Sequence, residues 1–112
     1  MTNDSKAGGG VAVTNWMACY NSADEMVVLS CTVTTNDSSP SIVGVGLVLN
    51  NNSGTILAST YDELSNGSES VSPSLNIPRG SLQVGVTVMG VVTGEAEGDH
   101  FFFEQELVIE NC

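Results

Sequence analysis

The stretch Glu95-Ala96-Glu97-Gly98-Asp99 sets three carboxylates at alternate positions among glycines. Hard cations take several oxygen ligands, and such a loop can offer carboxylates together with backbone carbonyls. Glu95, Glu97 and Asp99 are therefore the candidate ligands for calcium, the one cofactor the chain suggests. Asp62-Glu63 and Asp24-Glu25 are further acidic pairs that a fold could bring nearby. The spacing does not match an EF-hand loop, and the same residues also read as an acidic surface loop.

Catalytic chemistry finds little to work with. The single histidine, His100, opens a run of phenylalanines and reads as a surface residue at the start of a strand. No G-x-S-x-G ahead of a helix, H-E-x-x-H, P-loop or dinucleotide-binding pattern is present. Glu104 and Glu106 share one strand face, an arrangement that solubilises more readily than it hydrolyses glycosides. The expectation is a non-enzymatic protein. Cys19, Cys31 and Cys112 are too far apart for a zinc site, whose thiolates sit two to four residues from one another. Cys31 is in phase with Val27, Leu29 and Val33 and reads as a small buried hydrophobe. Cys19 and Cys112, near the ends of the first and last strands, are the candidate disulfide in an oxidising compartment; the alternative is three reduced thiols.

Sugar sites combine an aromatic platform with amide and carboxylate hydrogen bonds. Trp16, Tyr20 and Tyr61 are the candidate platforms, and Asn50, Asn51 and Asn52 the candidate amides, although Trp16 also reads as core. Asn36-Asp37-Ser38, Asn51-Asn52-Ser53 and Asn66-Gly67-Ser68 match the glycosylation acceptor pattern, which matters only in a protein secreted by a eukaryote. Phe101-Phe102-Phe103 puts an aromatic on both faces of one strand, leaving Phe102 beside Glu104 and Glu106. There it is a candidate anchor for a homo-oligomer contact.

Strands must position all of these groups. Leu82, Val84, Val86 and Val88 alternate with Gln83, Gly85 and Thr87; Phe101, Phe103, Leu107 and Ile109 alternate with glutamates. Period two with β-branched and aromatic residues marks half-buried strands, expected over about 81–92 and 100–111. Earlier strands are expected over about 11–20, 26–35 and 42–50. Asn51-Asn52-Ser53-Gly54 turns the last of these into 55–60. The first strand is apolar on both faces, and Asn15 is the natural place for a bulge that changes which face points inward. Gly44 and Gly46 leave one strand face shallow, either for a close backbone or for an aromatic lying over it. Asp62–Leu64 has room for one helical turn, and Val71, Leu75 and Ile77 suggest short edge pairing interrupted by Pro73. Residues 1–10, ending in three glycines, read as a loose tail, with one domain over 11–112. The whole predicts an all-β, antiparallel two-sheet sandwich of about seven or eight strands, immunoglobulin-like or jelly-roll-like. The cysteine and tryptophan spacing of true immunoglobulin domains is missing.

The 112 residues carry a net charge of −11, with 13 carboxylates against 2 basic residues. Such a surface repels nucleic-acid phosphates and anionic membrane, and no apolar run approaches the ~18 residues of a membrane helix. It suits cationic partners or simple solubility. Met1–Lys6 has no hydrophobic leader behind it, so the expected location is secreted or surface-exposed only if a leader has been removed, and cytoplasmic otherwise. These features point to a module that recognises a carbohydrate or protein surface through its loops, with calcium as the candidate ion. The alternatives are a self-assembling structural subunit and an acidic inhibitor of a basic protein.

Overall fold

Every regular element among the described residues of the computed structural model is a strand; these residues are 11–35, 41–80, 82–96 and 99–112, with the backbone alone at 65, 66 and 99. The strands are β1 (Val11–Asn21), β2 (Met26–Thr35), β3 (Ile42–Asn50), β4 (Ile56–Ser68), β5 (Ser70–Val71), β6 (Ser74–Pro78), β7 (Thr87–Ala96), β8 (Asp99–Val108) and β9 (Glu110–Asn111). One sheet runs β5-β2-β1-β9 with β6 also on β2, and the other runs β4-β3-β7-β8. All pairs are antiparallel except β1 with β9. Hairpins β1–β2, β3–β4 and β7–β8 stay within a sheet, while β2–β3, β4–β5, β6–β7 and β8–β9 cross between sheets. That order is immunoglobulin-like, since a jelly roll would alternate sheets. The expected tail at 1–10 and Glu97 lie outside the described residues.

Alternation decides what is buried. Val27, Leu29, Cys31 and Val33 of β2 face Val45, Leu47 and Leu49 of β3, with Val88 and Val92 of β7 and Phe101 and Phe103 of β8 beside them. Burying each Val, Leu or Phe side chain contributes about 1.5–3 kcal/mol, so this layer, more than any turn, holds the sheets together.

Irregularities re-aim the strands. In β1 the register shifts between Thr14 and Met17, with Asn15 at φ 57°, so the bulge falls where the sequence placed it. Beyond it Trp16, Ala18 and Tyr20 join the core side, and Met17 turns outward, 47 % exposed. A second shift between Ile42 and Gly44 puts Ile42, fully buried, inside in place of Val43.

Four expectations fail. The strand expected from Ser81 begins only at Thr87. Gly85 stands at φ 98°, and the Val86 N–H donates to the Gln83 carbonyl at 3.0 Å, so the alternating run 82–86 is a turn. Val84 is 47 % exposed in consequence. At its other end β7 continues through the expected loop as far as Ala96, because each residue to that point pairs with β8. Residues 62–64 are strand, not helix: Asp62 and Glu63 pair with Val45 and Gly44, and the ladder supplies their backbone partners. The last strand is two, since the chain changes sheets at the fully buried Ile109, whose N–H donates to the Val86 carbonyl at 2.9 Å.

Candidate functional site

Strand register sets out the outer face of the β4-β3-β7-β8 sheet in rows. One row reads Tyr61–Gly46–Thr93–Phe102, the next Glu63–Gly44–Glu95–His100, and on the other side lies Ser59–Val48–Val91–Glu104. Adjacent strands are about 4.8 Å apart, so Tyr61 and Phe102 stand about 14 Å apart across a floor of glycine and threonine. Both are solvent-facing, at 53 % and 48 % exposure.

Tyr61 lies along β3. A methyl group built on Gly46 would meet the ring at Cδ2, 2.8 Å away, and one on Gly44 would meet its hydroxyl end, with Cε1 at 3.3 Å. Cδ2 and Cε1 belong to opposite edges of the ring, so the ring lies across both glycines, and the residue still keeps about half of its surface exposed. The sequence allowed either a close backbone or an overlying aromatic at Gly44 and Gly46, and the aromatic is what occurs.

The charge of this face has one sign. Glu63, Glu95, Glu104 and Glu106 project from it, the first three in the rows given and Glu106 beside Met89. Among the described residues Arg79 is the one lysine or arginine, and its guanidinium sits 5.4 Å over the Tyr20 ring, which belongs to the other sheet. The face attracts cations and neutral hydrogen-bond donors and repels anions.

The other expected site residues are dispersed. Tyr20 is half-buried beneath Arg79. Trp16 packs between the sheets, with Cζ3 near enough to Gly90 that an added methyl would lie 2.7 Å from it. Asn51 holds its own hairpin: its Oδ1 accepts from the N–H groups of Ser53 and Thr55, each at 2.9 Å, leaving only its amide donor free. Asn50 keeps a buried Oδ1 without a partner, and Asn52 is exposed at the turn. Of the three calcium candidates, Glu95 is on β7 and Asp99 starts β8, while Glu97 lies outside the described residues. No group of three His, Cys, Asp or Glu side chains suited to a metal occurs among the described residues.

Cys19 and Cys112 are bonded, with S–S 2.03 Å and Cα–Cα 4.9 Å, and the bond ties the C-terminus to β1 beside the parallel β9. Cys31 is a free buried thiol whose pKa is pushed up to about 12 by loss of solvation.

Thr93 escaped the sequence reading, which had Glu63 only as part of an acidic pair and the Gly44–Gly46 face without the residue that covers it. The usable signal was Gly-x-Gly on one strand face, which needs a lid; the lid itself depends on register with β4, which the sequence does not state.

No family model and no curated protein matches the sequence. Solved structures match in fold. The chain is similar to part of Bacteroides uniformis beta-glucuronidase 3, with TM-score 0.59 and 14 % identity over 94 % of this chain and 12 % of that one. It is also similar to a DUF3823 family protein from Bacteroides ovatus, with TM-score 0.58 and 12 % identity over 89 % of this chain and 55 % of that one. The C-terminal domain of wzt matches with TM-score 0.53 and 9 % identity over 98 % of this chain and 79 % of that one. The chain thus spans about an eighth of the glucuronidase and about half of the DUF3823 protein, and what these likenesses share with it is the β-sandwich.

Proposed function

We propose that the protein is a non-enzymatic binding module that takes a neutral or cationic carbohydrate on the outer face of the β4-β3-β7-β8 sheet. The observation that carries the reading is Tyr61, an exposed aromatic laid across Gly44 and Gly46. A pyranose ring has an apolar C–H face that packs on such a π-surface, while its hydroxyls need acceptors around the rim. Glu63 and Glu95 supply acceptors in the adjoining row, Thr93 supplies a hydroxyl, and Phe102 closes the far side. Uronates and sulfated sugars would meet four carboxylates and, among the described residues, no lysine or arginine. The site thus moves from the loops, where Asn51 is committed to its own turn, to the sheet. The fold likeness to a fraction of a larger beta-glucuronidase supports the module part of the reading.

Self-assembly through Phe102 is the second reading, favoured by its exposure. It ranks lower because a two-fold contact on this face would set Glu104 and Glu106 against their own copies.

A glycan array followed by calorimetry tests the proposal. Wild type should retain neutral or amino sugars and ignore uronates. Tyr61→Ala should weaken the hit at least tenfold with its melting temperature unchanged. An array on which nothing binds, or a hit that Tyr61→Ala leaves intact, would remove the platform as the site.

A further inference from the structure

The β1 bulge opens the outer face of the other sheet. Asn15 and Trp16 together oppose Cys31, so the ladder is interrupted between the pairs Thr14–Thr32 and Met17–Ser30. Asn15 is held at φ 57°, left-handed backbone that costs a non-glycine residue on the order of 1 kcal/mol and that asparagine tolerates better than most. Bulges of this kind re-aim side chains and gather beside binding sites.

The result is a cleft of about 430 Å³ lined by Asn15, Trp16, Met17, Ser30, Thr32 and Ser72, of a size with small-molecule sites. Its polar groups are arranged but barely engaged. Asn15 Nδ2 donates to Thr32 Oγ1 at 3.4 Å, and Thr32 Oγ1 and Ser72 Oγ are also 3.4 Å apart, both at the long limit of a hydrogen bond. Trp16 Nε1 also lacks a partner, but it is sealed from solvent and is not part of the cleft's polar wall. The cleft wall holds no Asp, Glu, Lys, Arg or His, and Cys31, which adjoins it, turns its side chain into the core.

We infer that this cleft is a second binding site, for a single uncharged sugar ring. A wall of one amide and three hydroxyls offers donors and acceptors in balance, which suits a polyol. Met17 and the indole offer an apolar edge for its C–H groups. An ionic ligand would lose hydration and find no counter-charge. The inference is independent of the Tyr61 platform, which lies on the opposite side of the sandwich.

The chain has one tryptophan, which lines this cleft and reaches into the core beside Gly90, so its fluorescence reports on the cleft and on the packing behind it. Glucose, galactose, mannose and N-acetylglucosamine are titrated into the full chain to tens of millimolar, with glucuronate and glucosamine as charged controls. At least one neutral sugar should shift the Trp16 emission saturably. Thr32→Val, which keeps the shape and the strand preference, should weaken that binding at least tenfold, as should Ser72→Ala, while Tyr61→Ala leaves it unchanged. No saturable shift with any neutral sugar, a shift that survives both cleft substitutions, or tighter binding of a charged control would overturn the inference. Loss of array binding in Tyr61→Ala with the Trp16 signal intact would separate failure of one site from failure of the other.

Discussion

The two outer faces of the sandwich enclose one core and share one alternation rule, yet they differ in almost every chemical respect. The β4-β3-β7-β8 face carries two exposed aromatics on a glycine floor and four carboxylates. The β5/β6-β2-β1 face presents Ser30, Thr32, Thr34, Ser70, Ser74 and Asn76 in adjacent registers, with no charge among them. Inward positions of a strand are constrained by packing, whereas the outward half is free to be chosen for something else. The difference also reaches to how each sheet is held. The acidic sheet is three long ladders. The hydroxyl sheet has one long ladder, short edge strands and a covalent clamp.

Removing that clamp should have the largest effect. The Cys19–Cys112 bond closes a loop of 93 residues, for which the chain-entropy estimate is about 4–5 kcal/mol. Cys112→Ser should therefore lower stability by about that amount in a denaturant titration, close to the whole margin of a small domain. The loss should be uneven. Only two residue pairs join β9 to β1, and the Cys112 N–H to Tyr20 carbonyl bond, 3.1 Å, adds one more tie. Amide exchange near Cys19–Asn21 should then accelerate more than exchange in β3 and β7. Equal acceleration in both sheets would show that the clamp serves the whole molecule and not its weaker half.

A smaller effect belongs to Cys31, which is part of the hydroxyl sheet. Its ordinary pKa is 9.0, and burial raises it to about 12 in the folded chain. Below pH 9 both states hold the proton and stability is indifferent to it. Between those values the unfolded chain releases a proton that the folded chain keeps, so stability falls as pH rises, by up to about 1.4 kcal/mol per pH unit. Cys31→Ala should flatten this slope relative to wild type in melts from pH 8 to 11. Identical slopes would mean that the thiol reaches solvent.

How much of this was legible in the sequence follows the same division. Inward residues announced themselves: Val27 to Val33 alternate without interruption, and Asn15, a tolerant residue between two apolar runs of opposite phase, marked its own bulge. Where parity is reset by a single backbone angle, the pattern misled. Leu82 to Val88 alternates as well as any strand, but Gly85 at φ 98° turns the chain within it. Ile42 and Val43 are equally apolar, and only the register shift decides which goes inside. The candidate site was half legible. Tyr61 and Phe102 were singled out for separate reasons, and neither their shared row nor the glycine floor between them follows from composition. Those facts come from the pairing of β4 with β3, of β3 with β7 and of β7 with β8, and the middle one joins strands too far apart in sequence for local pattern to encode.

Gly44→Ala should have the smallest effect on folding and a large one on recognition. The residue is in extended strand, so alanine carries no backbone penalty there, and replacing glycine reduces the freedom of the unfolded chain by about 0.4–1 kcal/mol. Against that gain, the new methyl meets the hydroxyl end of Tyr61, with Cζ at 3.0 Å, the far end of a side chain that is half exposed and free to swing. The two terms nearly cancel, and the melting temperature should move by a few degrees at most. The ring, however, can no longer lie across Gly44. Carbohydrate affinity at the acidic face should drop at least tenfold while the Trp16 signal at the hydroxyl face stays as it was. Wild-type affinity in Gly44→Ala would mean that a tilted Tyr61 serves equally well, and the glycine floor would then be a packing feature and not part of the binding surface. Loss of both signals would indicate that the faces are coupled through the core, because Gly44 touches nothing on the other side.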